Sequence, residues 1–383
     1  MEDRQHVGIV GAGIVGFAHA LAAAKQGHRV TVFERNAACQ GASIRNFGMV
    51  WPVGQEAGPA LDAALRSREI WLELAGQANF FCRPTGAIYL AHREDEWQVL
   101  NEFADQAVDL GYQVELLSPD QVRRKTPAAN PNGLLGGLFS RTELAVDPVQ
   151  AIAALPGFLN ARYGVQFHFE CPVVAVRSGG LTTSDRREWT LDQIIVCSGA
   201  DFHSLLPTVF QRSGLRACKL QMMRTIPQPS EWNLGTHIAS GLTLRHYNSF
   251  RICPSLSRLV DRVAEETPEL DRYGIHVMAS QNAAGEIILG DSHEYDTEIG
   301  PFDRPEIDAL ILRELHKIIE LPTWEVSRRW SGIYAKHPTQ VIYRSEPIQG
   351  VHVATGTGGG GMTLAFGLAD AFVAGGPLCS VAS

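Results

Sequence analysis

Apolar residues along this chain follow two periods, and the points where one gives way to the other mark its elements. His6–Val10 is an almost unbroken apolar run, the mark of a strand buried on both faces. Ile14–Gln26 is rich in alanine and leucine and predicts a helix; Arg29–Phe33 alternates and predicts a second strand. A helix is expected over Glu56–Ala75, a strand in CRPTGAIYLA, an amphipathic helix over Glu94–Leu110, and a strand plus turn in GGLFSRTELAVDP. Asp147-Pro148 opens a helix that runs to Tyr163, and VQFHFECPVVAVRS reads as a strand or strand pair. Ile194–Cys197 is another buried strand. Between Leu215 and Ile288 the chain is strand-like, in LRACKLQMMRTI, GLTLRHYNSFRIC and IHVMASQNAAGEIILGD, with an Asn-Ala-Ala-Gly turn inside the last. A charged amphipathic helix follows over Pro305–Ile319, and VHVATGTGGGGMTLAFGLADAFVAG predicts strand, glycine turn and helix.

This order describes an α/β protein in which a Rossmann-like domain is interrupted by a second, mixed-sheet domain. The expected boundaries place 1–78, 146–212 and 331–383 in the dinucleotide-binding domain, and 79–145 and 213–330 in the substrate domain. A length of 383 residues and a hydrophobic content of 45% are ample for two cores.

The first strand–helix–strand unit carries chemistry. Gly11, Gly13 and Gly16 have the spacing of the dinucleotide fingerprint, and Glu34 closes the next strand with Arg35 beside it. Gly11 permits the tight turn, Gly13 lets a pyrophosphate reach the backbone at Ile14 and Val15, and Gly16 lets helix and strand pack closely. Glu34 suits a ribose 2′-hydroxyl and repels a 2′-phosphate, which disfavours NADP; the fingerprint by itself leaves FAD and NAD open. A second turn suited to ligand approach follows the strand at Ser198, Gly199 and Ala200. Near the end, Gly356 and the run Gly358, Gly359, Gly360 and Gly361 allow a flat ring to approach the backbone. The helix start at Met362 and Thr363 stabilises negative charge on such a ring.

Charge and cysteines narrow the classes. A net charge of −8 without a run of basic residues argues against nucleic acid. The seven cysteines are scattered and contain no CxxC pair, so neither a disulfide framework nor a metal site is expected, and a reducing cytoplasm fits. Met-Glu-Asp-Arg is not a basic leader and no segment approaches a transmembrane length, so no membrane partner is expected.

The fingerprint with Glu34, the SIRNFGMVWP loop, the IIVCSGAD strand-turn and ATGTGGGGMTLAFGLAD together resemble the FAD-dependent D-amino-acid oxidase, glycine oxidase and sarcosine oxidase superfamily, over the whole chain. The resemblance implies a glycine oxidase-like fold with FAD as cofactor. It implies that Ser43, Asn46, Phe47, Gly48 and Met49 pass beside the flavin, that the C-terminal glycine turn meets its pyrimidine end, and that Val173 or Val174 touches adenine. RNFGMVWPVGQ, LRHYNSF and GDSHEYD further resemble a branch associated with bacterial phosphonate breakdown. That likeness implies oxidation of 2-aminoethylphosphonate-like amines or their N-methyl forms to an imine, which hydrolyses to an aldehyde and ammonia or methylamine while O2 becomes H2O2.

Two departures from the superfamily bear on the substrate. The Gly-x-Arg-Pro arginine that holds an amino-acid carboxylate is replaced by Gly332-Ile333-Tyr334-Ala335, and no cysteine stands where sarcosine oxidases attach their flavin, which implies non-covalent FAD. A tetrahedral phosphonate needs several donors. The candidates are Arg45 in the flavin loop, Arg245, His246 and Tyr247 in one segment, His293, and Tyr334, Lys336 and His337. On a strand Arg245 and Tyr247 would face one side and His246 the other, so one set is expected to be structural, with a solvated strand edge as the plain alternative. His293 and Asp291 read equally well as a packed histidine and a turn cap. Tyr334, His246 and Lys336 are the expected catalytic groups, a histidine being suited to take the amine's extra proton.

The alternatives are a glycine- or sarcosine-type oxidase with a different carboxylate clamp, a dehydrogenase passing electrons to a carrier, and a non-catalytic FAD-binding protein. The expected partners are a small amine and O2, and the oligomeric state stays open.

Overall fold

The glycine fingerprint sits at the centre of a six-stranded sheet. The computed structural model describes residues 4–296 and 299–375; Met1, Glu2 and Asp3, and the end of the third expected domain segment with Cys379, lie outside them. The sheet order is Tyr343–Ile348, Val351–Thr355, Gln193–Val196, His6–Val10, Arg29–Phe33, Gln166–His168, parallel except for the antiparallel pair at the first edge. Its central strands are the apolar runs: four of the five residues in both His6–Val10 and Arg29–Phe33 are buried, because helices or other elements cover both faces. The helix Ile14–Lys25 packs on the helix Gly361–Val373, which in turn packs on Pro59–Ala78. Gly367 makes the second crossing possible, since a Cβ there would lie 2.0 Å from the Ala63 carbonyl oxygen.

The second sheet has nine strands. Ala87–Ala91, Val114–Leu117 and Gly136–Ser140 come from the first inserted segment and the rest from residues 216–336. A parallel pairing of His237–Ser240 with Ala87–Ala91 joins the two segments, and the large core beneath is built around Tyr89, Phe103, Phe250 and Leu100. Val326–Lys336 pairs along its length with Arg216–Pro227, so this strand continues across the boundary expected at residue 330.

One open expectation is resolved and one needs correction. VQFHFECPVVAVRS splits between sheets: Gln166–His168 edges the six-stranded sheet, and after a left-handed residue at Glu170 (φ 52°) Val173–Arg177 starts a separate three-stranded meander. LRHYNSF is not a strand. Gly241–His246 and Asn248–Ile252 are short 3-10 turns. The alternation of leucines mimics a strand, but Leu244 and Phe250 both insert into the core, and Gly241 lies against the Glu96 carboxylate, where a Cβ would come within 2.1 Å.

Glu96, on the amphipathic helix Glu94–Ala107, accepts from the His92 N–H at 2.9 Å and lies 3.4 Å from Arg262. Burial outweighs these partners and raises its carboxyl to about 7. The folded protein therefore keeps a proton that the unfolded chain releases near 4.5. Stability from this group is full below 4.5, is lost as pH rises to about 7 and is flat above it. Urea unfolding of the native chain and Glu96→Gln at pH 5 and pH 8 is expected to show the native chain losing about 2–3 kcal/mol relative to the variant. A pH-independent difference would refute this.

Among the described residues no helix is long and apolar enough to cross a membrane.

Candidate functional site

One cavity of about 1060 Å³ runs from the carboxyl ends of the six-stranded sheet to the face of the nine-stranded sheet, at the upper limit of the roughly 300–1,000 Å³ of small-ligand pockets. Its nucleotide end is made by the fingerprint. Gly11 has φ +105°, and a Cβ there would meet the Cys197 carbonyl oxygen at 2.5 Å. Gly16 lies outside the cavity and acts by packing: a Cβ would be 1.9 Å from the Gly11 carbonyl oxygen. Gly13 does line the cavity, and a Cβ there would meet only Ser43 Oγ, at 3.1 Å.

Glu34 is 8% exposed and holds the turn together: the Ala12 N–H donates to Oε2 (2.9 Å) and the Asn36 N–H to Oε1 (3.0 Å). A carboxylate has about four lone-pair sites, so acceptor capacity remains for ribose hydroxyls. Ile14 and Val15 line the same end; the Ile14 N–H is taken by Ser43 Oγ at 2.9 Å, leaving the neighbouring backbone to a ligand. Arg35 pairs with Asp201 at 2.6 Å across the mouth. Val173, Val174, Ser198, Gly199 and Ala200 complete this wall, and Thr355 Oγ1 donates to the Gly199 carbonyl at 2.8 Å.

The middle of the cavity is bounded by the Ser43–Met49 loop and the C-terminal glycine turn. Asn46 shapes the loop: its Nδ2 donates to the Ala42 and Ser43 carbonyls and its Oδ1 accepts from the Gly48 N–H. Gly48 does not line the cavity; it has φ +71° and lies where a Cβ would be 2.0 Å from the Val146 carbonyl oxygen. Phe47 and Met49 do line it. Opposite them Gly356, Gly358, Gly359, Gly360 and Gly361 present bare backbone, followed by Met362 and Thr363 at the start of a 13-residue helix. Thr363 Oγ1 accepts from the Trp51 N–H at 2.9 Å, which ties the turn to the loop. A polar turn, a slot between bare backbone and loop, and a helix start beneath it fit a dinucleotide ending in a flat, charge-accepting ring.

The far end is built by the nine-stranded sheet. Tyr334 is buried, with its hydroxyl beside the glycine turn: a Cβ on Gly359 would be 3.8 Å from it. Burial raises this phenol well above its ordinary value, so it stays a donor. Lys336 lays its stem against Gly358 and donates from Nζ to the Tyr295 hydroxyl at 3.4 Å. Arg45 lines the rim and donates to the Ser331 carbonyl at 3.2 Å. His337 also lines the rim, but its Nδ1 accepts from the Thr339 and Gln340 N–H groups and organises that turn.

The 3-10 geometry corrects the face assignment in LRHYNSF. His246 and Tyr247 both line the cavity, whereas Arg245 is turned away and is held by Asp271 and the Ile275 carbonyl. Tyr247 stacks on Trp51 at 6.2 Å, closing the cavity with aromatic surface. His293 lines the cavity as expected. His276 was missed, and Asp291, read only as a cap, also faces the site. No metal cluster is legible in residue spacing, yet the fold brings His246, His276 and His293 together, with ligand atoms all within 4.8 Å of one another.

The sequence model described as "FAD dependent oxidoreductase" matches residues 6–374. The chain is 26% identical to the glycine oxidase of Geobacillus kaustophilus over 211 residues, 52% of this chain and 56% of that protein, so the match spans about half the length of that curated relative. The solved glycine oxidase of Bacillus cereus superposes with a TM-score of 0.76 at 19% identity, over 97% of this chain and 95% of that one. L-proline dehydrogenase from P. horikoshii gives 0.76 at 19% identity, over 98% and 95%. These two likenesses establish the fold. With the family match spanning nearly every described residue and a cavity shaped for a dinucleotide with a flat ring, the chain belongs to the FAD-dependent oxidoreductase family.

Proposed function

We propose that this protein oxidises the C–N bond of a small amine carrying a phosphonate, 2-aminoethylphosphonate or its N-methyl form. The amine loses two electrons and two protons to give an imine, water converts the imine to an aldehyde and ammonia or methylamine, and O2 is reduced to H2O2. The observation that carries the reading is the anion end of the cavity. Where amino-acid oxidases of the superfamily are expected to hold a planar carboxylate with an arginine fork, this chain has Tyr334 and Lys336, with Tyr295 and a histidine wall beside them. Point donors converging from several directions suit a tetrahedral, multiply charged anion better than a planar one.

Bound FAD supplies the electron-pair acceptor. The chain's own residues do the rest. Lys336 offsets anionic charge, and Tyr334 and Tyr295, both held protonated by burial, donate to its oxygens. Trp51, Tyr247, Phe47 and Met278 wall off water, which keeps the imine intact until it leaves. With the anion fixed at Lys336 and the ring slot at Gly358–Gly361, a short chain places its α-carbon between them.

The names of the relatives, glycine oxidase and L-proline dehydrogenase, favour C–N chemistry and supply the second reading, an amino-acid substrate. Peroxide release from 2-aminoethylphosphonate, its N-methyl form, glycine, sarcosine and D-alanine separates the two. Turnover is expected with the phosphonates. Turnover confined to the amino acids would overturn the reading, and flavin reduction without peroxide would assign a dehydrogenase.

A further inference from the structure

The histidine wall is assembled in a way that an anion pocket does not require. His246, His276 and His293 come from three separate segments, and their rings stack at centroid distances of 4.3 Å (His246–His276), 5.1 Å (His276–His293) and 5.6 Å (His246–His293). An outer partner fixes which nitrogen of His293 carries the proton. His293 Nδ1 lies 3.1 Å from the Gly274 carbonyl oxygen, which can only accept, so Nδ1 bears the hydrogen and Nε2 is left with a lone pair. Gly274 is required for that contact, because a Cβ there would come within 2.8 Å of the His293 Cβ.

His276 Nε2 lies 3.0 Å from Asp291 Oδ1, out of line for a hydrogen bond, so the carboxylate faces this ring as a nearby charge. The Nδ1 of His276 is buried and has no protein partner. His246 Nε2 is likewise buried without a partner. Three imidazoles, one of them oriented from behind by a carbonyl, thus stand in the cavity wall with one nitrogen of each within 4.8 Å of the others. Left without a proton or a cation to bind, such buried lone pairs are costly.

We infer that His246, His276 and His293 form a site for one divalent transition metal of the zinc class, with an open coordination position toward the cavity. Imidazole suits this class of ion, and three protein ligands plus an open position is the arrangement of sites where the metal also binds an exogenous oxygen. At Zn–N distances of about 2.0–2.1 Å the nitrogens must draw in by roughly 1–1.5 Å, and the stacked rings, 12–30° from parallel, must turn so that their in-plane lone pairs converge on the ion. The role assigned to the open position rests on the proposed function: it takes one phosphonate oxygen while Lys336 and Tyr295 take others, so that two positive centres meet a dianion. In the metal-loaded protein His246 is a ligand and not a proton acceptor.

The test is equilibrium dialysis of the FAD-loaded protein, first stripped with chelator, against Zn2+, with metal and flavin counted per chain. Near one Zn2+ per chain is expected for the native protein and for His316→Ala, which alters a histidine stacked on Trp324 away from the site. At least a tenfold loss of occupancy is expected for His276→Ala and for His246→Ala, with flavin content and thermal melting unchanged as evidence of folding. Sub-stoichiometric Zn2+ in the native protein, or undiminished Zn2+ in both site variants, would overturn the inference. The two proposals fail separately: an enzyme that oxidises aminophosphonates but takes up no Zn2+ refutes the site alone. Stoichiometric Zn2+ in an enzyme that oxidises only amino acids leaves the site and refutes its assigned role.

Discussion

Gly13→Val is expected to yield a folded protein that purifies nearly colourless. The position has φ −81°, open to any residue, and a Cβ there meets only the tip of Ser43. The branched side chain therefore costs the fold little, but it projects into the nucleotide end of the cavity at the start of the helix Ile14–Lys25. Overpacking of about 1–3 kcal/mol corresponds to roughly 5–150-fold in affinity, and lost approach to the backbone adds to it. The ratio of flavin to protein absorbance, with a circular-dichroism melt as the folding control, checks this. Flavin content equal to the native protein's would show that the cofactor does not pass over Gly13. The same substitution at Gly11 or Gly16 is a different experiment, since there the new atoms collide with backbone carbonyls and the sheet–helix packing itself gives way.

Lys336→Met is expected to raise KM for an aminophosphonate by about 10–100-fold while leaving flavin bound. A methionine keeps the apolar stem that lies against Gly358 and removes only the charge. Breaking a buried charge pair costs roughly 2–5 kcal/mol; Lys336 is exposed, so the lower part of that range applies. Steady-state kinetics at fixed ionic strength decide it, and an unchanged KM would remove Lys336 from the anion site.

The fingerprint was legible because its constraints are local: a positive φ at Gly11, a close approach at Gly16 and a carboxylate at the next strand end are each set by residues close in sequence. The glycine turn was legible for the same reason. The far end of the cavity was not. His246, His276 and His293 are separated by 30 and 17 residues; His276 and Asp291 exchange backbone hydrogen bonds just beyond the Met278–Gly290 register, which sets His276 beside His293, and the 3-10 turn Gly241–His246 adds His246. Arg245 looked like an anion ligand until the fold supplied Asp271, and LRHYNSF read as a strand because nothing in its alternation reveals that Phe250 anchors it in a core. Gly48 belongs to the same loop but serves its backbone rather than the cavity, whereas Asn46 lines the cavity and also accepts from the Gly48 N–H.

The most direct measurement is anaerobic mixing of the FAD-loaded protein with 2-aminoethylphosphonate or its N-methyl derivative while the visible flavin absorbance is followed. Complete bleaching within the turnover time, with one aldehyde formed per flavin, is the result expected of a phosphonate-directed amine oxidoreductase. Flavin that stays oxidised with both phosphonates but bleaches with glycine or sarcosine would contradict it.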